Sequence, residues 1–333
     1  MKALALLSGG LDSILAAKVV QAAGVEVEAV NFIIPFLQER DSGKGSGVAA
    51  KAAAFLGVKL HYHECGAEYL RVVEKPRHGY GKRLNPCLDC RIYKFQAAAQ
   101  KMREIGASFL VTGEVFDQRP NSQRRDAMDI TARDAGLKGL VLRPLSAKLL
   151  QPTIPELEGW IDREKLLDIK GRGRTRQMEL AAKFGLTDYP SPTGGCLLTC
   201  EEYSRKVADL IKFEGGLTLR AVELLRFGRH LRLSPSVKII VGKNRVENEV
   251  LRKMAAPGDV ILELADIQGP TTLYLGPEDG EALKLAAAIT AGFSKAPVDV
   301  EAKVFAQKGG EISELWVKPL TREKSKGFYV YQV

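Results

Sequence analysis

The hydrophobic and polar positions in the first part of the chain alternate with two periods, one typical of strands and one typical of helices. Residues 3–7 form an apolar run suited to a buried strand, and residues 11–22 carry apolar side chains at helical spacing. The segment VEVEAVNFII begins with alternating valine and glutamate and then becomes wholly apolar, which predicts a second strand. A strand, a glycine turn, a helix and a strand within about 35 residues indicate a βαβ unit of a parallel sheet.

The same alternation continues for another hundred or so residues. The strand-like segments are VKLHYHEC, ASFLVTGE and GLVLRPL, and helical segments such as VAAKAAAFLG and CRIYKFQAAAQKMREIG separate them. Five strands interleaved with helices predict a doubly wound α/β domain with a parallel sheet over residues 1–165. Ligands of such sheets bind at the carboxyl ends of the strands, where the segments SGGLDS and TGEVFDQ both fall.

The pattern of the chain changes after residue 165. Residues 166–235 contain the arginine- and glycine-rich segment IKGRGRTRQ, the loop YPSPTGGCLLTC and a helical stretch, so we assign them to a connecting region. Residues 236–333 alternate strand-like segments such as VKIIVGKN and VILELAD with helical ones such as RVENEVLRKMAA. This pattern predicts a small α+β domain after the connecting region.

Composition and charge narrow the class of protein. The 333 residues exceed the usual size of one core and 45% of them are hydrophobic, so two or three globular domains are expected. A net charge of +9 favours a polyanionic partner, and no run approaches the roughly 18 consecutive apolar residues of a membrane helix. Five cysteines in such a chain are not typical of a disulfide framework, and they indicate a chemical role for the thiols instead. We therefore expect a cytoplasmic protein with no membrane partner.

The segment SGGLDS lies between the first strand and the first helix and lacks the lysine of a Walker A loop. Its two glycines let the backbone approach an anion, its two serines add hydroxyl groups, and the following helix directs free N–H groups at the same place. These features favour a pyrophosphate site, and Asp12 beside phosphates implies a bridging Mg²⁺ ion. The simpler alternative is a strand-to-helix turn in which Ser8 or Asp12 caps the helix. The predicted phosphate-binding residues are Ser8, Gly9, Gly10, Leu11, Asp12 and Ser13.

This loop resembles the loop of the PP-loop ATP pyrophosphatases, which cleave ATP to AMP and pyrophosphate. Together with LVTGEVFDQRPNSQ and LRPLSAK, the first segment is most similar to the ATP-binding domain of tRNA 4-thiouridine synthetases. The resemblance implies a sheet of the adenine nucleotide alpha hydrolase type. It also implies an adenine pocket lined by the second strand and further contacts near ATP from the T-G-E segment. The residues so implied are Asn31, Phe32, Gly113, Glu114 and Gln118.

Two cysteines stand at the start of a predicted helix in the segment NPCLDCRIYKF. The helix dipole and the neighbouring Arg91 and Lys94 favour the thiolate forms of Cys87 and Cys90. The segment resembles the N-P-x-x-x-C-N-x-x-x-K-F segment of tRNA 2-thiouridylases, and the downstream SPTGGCLLTC resembles the segment that holds their second cysteine. That resemblance places Cys196 on the second catalytic cysteine.

Three interpretations of these thiols are open. By resemblance to related tRNA thiolases, Cys87, Cys90 and Cys196 would be the three ligands of a [4Fe-4S] cluster, for which thiolates are suited. Alternatively, Cys90 and Cys196 form a persulfide pair without a metal, or Cys200 completes a four-cysteine zinc site. Cys65 is predicted to be a buried packing thiol. The predicted catalytic residues are Asp12, Cys87, Cys90 and Cys196.

Two basic stretches are candidates for RNA contacts. The segment KGRGRTRQ concentrates four cations near the third cysteine, although a solvated basic loop would look the same. Residues 236–333 resemble the RNA-binding module of NFACT-type ribosome-quality-control proteins, with Gly242, Asn244 and Asn248 on matched positions. The predicted RNA-binding residues are Lys170, Arg172, Arg174, Arg176, Lys243, Asn244, Arg322, Lys324 and Lys326.

Together these motifs predict an ATP-dependent tRNA sulfurtransferase. ATP would adenylate a uridine carbonyl oxygen of tRNA, and sulfide on a cluster or a cysteine persulfide would then displace AMP. The sulfur donor would be a cysteine desulfurase or free sulfide, and the chain could form a homodimer. One alternative is a PP-loop enzyme of the ligase or deazapurine nitrile synthase type, which adenylates a small molecule and has a structural zinc site. Another is a non-enzymatic RNA or ribosome binder, against which the intact SGGLDS loop argues.

Overall fold

The computed structural model of the protein describes residues 1–37, 47–190 and 195–330. The chain divides into two compact units, Met1–Cys196 and Leu197–Val333. This boundary falls inside the predicted connecting region 166–235, which contributes residues to both units. Part of the predicted cysteine loop, residues 191–194, lies outside the described residues.

A five-stranded parallel sheet forms the centre of the first unit. Its strands are β1 Lys2–Leu6, β2 Glu26–Ile33, β3 Leu60–Glu64, β4 Phe109–Val111 and β5 Val141–Leu142. They lie in the order β3-β2-β1-β4-β5, so the chain runs from β1 outward to one edge and then crosses back to the other side of β1. All five strands are in the segments where the sequence pattern predicts them.

Seven helices accompany the sheet in the described part of this unit. They are α1 Leu11–Ala22, α2 Val48–Leu56, α3 Ala67–Glu74, α4 Cys87–Ile105, α5 Arg125–Asp134, α6 Ile154–Leu157 and α7 Thr175–Lys183. Apolar side chains of β1, β2 and β4 pack with those of α1, α2 and α7 in one core. The helices shield β1, the central strand, and its residues 3–5 are at most 1% exposed. The prediction of a doubly wound α/β domain is confirmed.

The strand order places a topological switch point between β1 and β4. The connections that leave these two strands turn to opposite sides, which opens a crevice at their carboxyl ends, and ligands of doubly wound sheets bind there. The segment SGGLDS follows β1 and the segment TGEVFDQ follows β4. The fold therefore brings the two predicted nucleotide segments to one place.

The second unit contains a six-stranded antiparallel sheet. Its strands are β6 Arg229–Ser234, β7 Val237–Val241, β8 Val260–Leu264, β9 Thr272–Leu275, β10 Ala302–Lys308 and β11 Glu311–Val317, in the order β11-β10-β8-β9-β7-β6. Its helices are α8 Glu201–Phe213, α9 Leu219–Leu224, α10 Arg245–Met254, α11 Gly280–Gly292 and α12 Arg322–Ser325. Helix α11 covers one face of the sheet with an apolar core, which confirms an α+β domain.

Strand β6 was not predicted. It lies in the segment assigned to the connecting region, yet it pairs with β7 from Arg229↔Val241 to Ser234↔Val237 and completes the edge of the sheet. Its alternating arginines and leucine resemble a basic loop in sequence, and the pairing partner is what makes the segment a strand. None of the helices in residues 1–37, 47–190 and 195–330 combines the length and apolar character needed to cross a membrane.

Candidate functional site

The segment SGGLDS forms the turn from β1 to α1 at the carboxyl edge of the sheet. Gly10 immediately precedes α1, and no side chain of the described residues caps this helix end. The serines bond within the turn instead, because the Ser13 hydroxyl donates to the Gly10 carbonyl at 2.7 Å and Ser8 Oγ accepts from the Gly10 N–H at 3.3 Å. Neither Ser8 nor Asp12 acts as a helix cap. Because no described side chain caps it, the positive dipole end of α1 stays open to an anion.

Two glycines allow the turn and neighbouring backbone segments to pack closely together. Gly9 has a φ of +81°, and a Cβ at this position would lie 2.7 Å from the carbonyl carbon of Val48. Gly113 follows β4, and a Cβ there would lie 2.6 Å from both the Asp12 carbonyl carbon and the Ser13 nitrogen. The loop after β4 thus packs directly against the backbone of the turn, at a distance that only glycine allows.

The Asp12 carboxylate is the charged group of the turn. Gln118 Nε2 donates to Asp12 Oδ2 at 3.2 Å, and a guanidinium nitrogen of Arg174 lies 3.6 Å from the same oxygen. The other oxygen, Oδ1, is buried and has no hydrogen-bond partner among the described residues. Proteins commonly hold Mg²⁺ by one or two carboxylates together with the phosphates of its nucleotide. The unpartnered oxygen beside an open helix end therefore fits the predicted Mg²⁺ ion.

The two residues predicted to line an adenine pocket support the same edge of the sheet. Asn31 Nδ2 donates to the Leu7 carbonyl at 2.8 Å, which ties the end of β1 to β2. The Phe32 ring packs against His63 with 5.1 Å between ring centroids. Both Asn31 and Phe32 are 8% exposed, so they shape the crevice chiefly through their backbone and packing. A contact of either residue with adenine stays a prediction.

The Glu114 side chain, which the resemblance places near ATP, lies among charged side chains. Its buried carboxylate forms ion pairs with Arg91 of α4 and with Arg143, whose Nε donates at 2.8 Å. The Thr112 hydroxyl donates to it as well, at 3.0 Å. Burial lowers the pKa of Arg91 to about 10, and the carboxylate supplies the charge that makes burying two guanidinium groups tolerable. Glu114 therefore joins the cysteine helix to the end of β4.

The first two predicted catalytic cysteines stand in the first turn of α4. The hydroxyl of Tyr69, on α3, donates to Cys90 Sγ at 3.1 Å. Burial raises the pKa of Cys87, and the negative charge of Cys90 raises it further, whereas Arg91 and Lys94 lower it to a smaller extent. The expectation that the helix start and its cations favour a Cys87 thiolate is therefore wrong, because desolvation outweighs them.

Three thiols influence the ionisation of the Tyr69 hydroxyl. Burial raises the pKa of the Tyr69 hydroxyl well above its ordinary range, and Cys90, Cys196 and Cys65 raise it further. The hydroxyl therefore stays protonated and acts as a donor. Cys196 reaches this place through a bridge to Leu37, beyond the end of β2, and Cys65 directly follows β3. Cys65 is 3% exposed, and burial raises its pKa to about 12. It is a buried thiol as predicted, but it belongs to the cysteine cluster.

The described residues contain no preformed metal site. In the described residues, no three side chains of histidine, cysteine, aspartate or glutamate form a group that could hold a metal ion. Cys87, Cys90 and Cys196 therefore do not form such a group in the described residues, and a [4Fe-4S] cluster held by them stays a prediction. Cys200, the fourth ligand of the alternative zinc site, is exposed and belongs to the second unit.

The four predicted RNA contacts between residues 170 and 176 are placed differently from one another. Lys170 and Arg172 are exposed, and Arg176 pairs with Asp168 at 2.6 Å on the surface. The Arg174 side chain instead points toward the SGGLDS segment, where a guanidinium nitrogen lies 3.6 Å from Asp12 Oδ2. The sequence offers no local signal for this contact, because the two residues are far apart along the chain.

The predicted RNA contacts of the second unit lie at helix starts and on its surface. The Asn244 side chain accepts the Glu247 N–H at 3.0 Å and thereby caps α10, so its amide has a structural role. The remaining cations are exposed, and they are Lys243, Arg322, Lys324 and Lys326. RNA binding by these residues stays a prediction.

The fold and the crevice are typical of one class of protein domain. A doubly wound sheet, a serine- and glycine-rich turn at its switch point and an open helix end with an unpartnered carboxylate oxygen are the features of a nucleotide-binding α/β domain. Residues 1–148 match the family described as thiamine biosynthesis protein (ThiI), and residues 228–329 match the NFACT protein RNA binding domain. The chain therefore carries a PP-loop domain of the ThiI type followed by an NFACT-type domain.

Individual proteins resemble parts of the chain. The tRNA-specific 2-thiouridylase MnmA of Endomicrobium trichonymphae is 35% identical over 125 residues, which cover 33% of this chain and 35% of that protein. A 4-thiouridine synthetase solved as an RNA complex with bound ATP is 24% identical over 56% of this chain and 41% of its own, with a TM-score of 0.37. The U34-tRNA thiolase NcsA from Methanococcus maripaludis, solved with its [4Fe-4S] cluster, is 19% identical over 68% of this chain and 71% of its own, with a TM-score of 0.35. The chain spans about a third of the length of the curated relatives that it matches.

Proposed function

We propose that the protein is an ATP-dependent tRNA sulfurtransferase that adenylates a uridine and replaces its carbonyl oxygen with sulfur. The observation that carries this proposal is the adjacency of Gly113 and Glu114. Gly113 packs on the phosphate-type turn, and Glu114 pairs with Arg91 beside Cys90. Two consecutive residues thus connect an activating site with a cluster of thiols.

The activating half would bind ATP at the turn. The open N-terminus of α1 and the backbone of the turn stabilise the negative charge that develops on the leaving pyrophosphate. Asp12 would hold Mg²⁺ through Oδ1, and the ion supplies further charge neutralisation for the phosphates when it is bound. Gln118 orients the other carboxylate oxygen. The uridine oxygen then attacks the α-phosphorus, and adenylated uridine and pyrophosphate form.

The sulfur half would use Cys90 and Cys196. One of them carries a persulfide supplied by a cysteine desulfurase or derived from free sulfide and a disulfide. The outer sulfur attacks the activated uridine carbon, the C–O bond breaks, and AMP leaves with the oxygen. The other cysteine then attacks the inner sulfur, which releases the thiouridine sulfur and leaves a Cys90–Cys196 disulfide that a thiol reductant restores. The NFACT-type domain, with its exposed cations, would contribute tRNA affinity.

The proposal is tested with the purified full chain, unmodified tRNA, MgATP, cysteine and a cysteine desulfurase. Nucleoside mass spectrometry should find a new thiouridine, and pyrophosphate release should depend on tRNA. We expect Asp12→Asn to lower both signals by about 100-fold or more, since it removes a charge from the metal and phosphate site. The control Asp126→Asn changes a carboxylate that is 70% exposed and should leave them unchanged. Pyrophosphate release that is independent of tRNA, without any thiouridine, would instead support a small-molecule substrate.

Tyr69 offers a separate test of the sulfur half. Tyr69→Phe removes the hydroxyl that donates to Cys90 Sγ and keeps the ring that packs 5.3 Å from Tyr93. Loss of this hydrogen bond leaves Cys90 Sγ less firmly positioned, so thiouridine formation should fall by about tenfold. Pyrophosphate release should stay within twofold of the wild type, roughly. Equal loss of both activities would show that Tyr69 only supports the fold.

A further inference from the structure

Arg174 forms an ion pair with the Asp12 carboxylate of the SGGLDS turn. Its guanidinium nitrogen lies 3.6 Å from Asp12 Oδ2, and its side chain is 28% exposed. It immediately precedes α7, a helix that packs against α1. A residue that the sequence assigns to RNA binding therefore stands at the phosphate-type turn.

The segment that carries Arg174 is held to the crevice by backbone contacts. Lys170 forms a parallel bridge with Phe116, and the Gly171 N–H donates to the Phe116 carbonyl at 2.8 Å. Ser146 connects the same two segments, since its hydroxyl donates to the Ile169 carbonyl at 2.6 Å and accepts the Phe116 N–H at 2.9 Å. The segment is therefore part of the wall that follows β4, and it delivers Arg174 to a defined place.

The neighbouring arginines differ from Arg174 in their partners. Arg176 makes its ion pair with Asp168, and that pair is 54% exposed on both sides. Arg172 is exposed. Exposed cations of this kind exchange freely with solvent and salt, whereas a guanidinium group beside a partly buried carboxylate is already positioned. The chain therefore provides two matched control residues within the same segment.

The charges at the turn suggest what happens to this ion pair when a nucleotide arrives. Asp12 Oδ1 has no partner among the described residues, and a Mg²⁺ ion held there would neutralise the carboxylate. The guanidinium group would then be left without its counter-charge, directly beside the phosphates that came with the metal. Arginine presents a fork of donors that matches phosphate oxygens, and such charge-assisted pairs are among the strongest hydrogen bonds in proteins.

We propose that Arg174 is a phosphate-binding residue of the ATP site, which pairs with Asp12 in the free protein and moves to the β- and γ-phosphates, and then to pyrophosphate, when the magnesium nucleotide binds. This inference rests on the proposed nucleotide site but not on the identity of the acceptor, because binding of ATP and of pyrophosphate needs no tRNA. It makes α7 and its preceding segment the second wall of the triphosphate site, opposite the turn.

Isothermal titration calorimetry of the full chain tests the proposal with three probes: MgATP, magnesium pyrophosphate and AMP with Mg²⁺. We expect Arg174→Ala to weaken MgATP and pyrophosphate binding by roughly 10- to 100-fold and to change AMP binding by less than about twofold. Arg174→Lys keeps the charge but loses the fork, so its loss should be smaller than that of the alanine variant. Arg172→Ala and Arg176→Ala should bind all three probes as the wild type does.

Other outcomes overturn the proposal in distinguishable ways. If Arg174→Ala weakened AMP and MgATP equally, Arg174 would only hold the shape of the turn. If it left all three probes unchanged and weakened tRNA binding instead, it would be the RNA contact that the sequence suggested. If the wild type bound neither ATP nor pyrophosphate, the proposed ATP site itself would fall, whereas normal nucleotide binding without thiouridine would remove only the sulfur transfer.

Discussion

Replacing Gly113 with alanine should abolish tRNA-dependent pyrophosphate release. The added Cβ would lie 2.6 Å from the Asp12 carbonyl carbon and the Ser13 nitrogen, and 2.7 Å from the Asp12 oxygen. These are backbone atoms of the turn, which cannot swing aside as the end of a flexible side chain can. The turn must shift, and displacement of a reacting group by about 1 Å can cost 100-fold in rate. We expect a loss of at least that size in pyrophosphate release and in thiouridine formation.

Gly66→Ala is the matched control for this substitution. Gly66 precedes α3, its φ is −88°, and a Cβ there would meet no atom within 4 Å. We expect this variant to keep wild-type activity, and thermal unfolding of both variants would show how much of any loss is stability. Overpacking of this kind typically costs about 1 to 3 kcal/mol, so Gly113→Ala should unfold at a lower temperature and yet remain folded at 25 °C. Wild-type rates in Gly113→Ala would contradict the packing of the loop against the turn.

Replacing Cys90 with serine should separate the two halves of the reaction. Serine keeps a small polar side chain but cannot carry or displace a persulfide sulfur, so thiouridine formation should fall by about 10³-fold or more. The turn and Asp12 are untouched, and tRNA-dependent pyrophosphate release should persist as adenylated uridine forms and hydrolyses. Nucleoside mass spectrometry and a pyrophosphate assay on the same preparation measure the two results together.

The remaining cysteines supply the controls for this prediction. Cys196→Ser should give the same separation as Cys90→Ser, because each cysteine completes the step that the other begins. Cys200 is exposed, and Cys200→Ser should leave both assays at wild-type values. Thiouridine formation that survived in Cys90→Ser would remove this residue from the sulfur half. Loss of pyrophosphate release as well would mean that the cysteine helix also shapes the nucleotide site.

Part of the candidate site can be predicted from the sequence. The turn residues and the cysteines of α4 were predicted because each set is contiguous and its spacing reports one local chemistry. Glu114 was predicted as a residue near ATP, since the motif gives its position but not the direction of its side chain. The structure shows that carboxylate between two buried arginines, which depends on where α4 and the strand after α5 lie.

The helices and strands of the first unit follow from local sequence patterns. The bounds of α1 coincide with the predicted residues 11–22, and the five parallel strands fall in their predicted segments, because periodicity of apolar residues is a short-range property that each segment carries alone. The order of the strands, and with it the switch point between β1 and β4, was consistent with that alternation but was not dictated by it.

The folded structure determines which residues that are distant in the chain lie together. It brings Arg174 of the predicted basic loop to Asp12, places Tyr69 beside Cys90, gives Glu114 two guanidinium partners and pairs residues 229–234 with β7 as the edge strand β6. The physical reason is the same in each case: a side chain's partners, burial and charge depend on contacts between segments far apart in the chain, which no local pattern encodes.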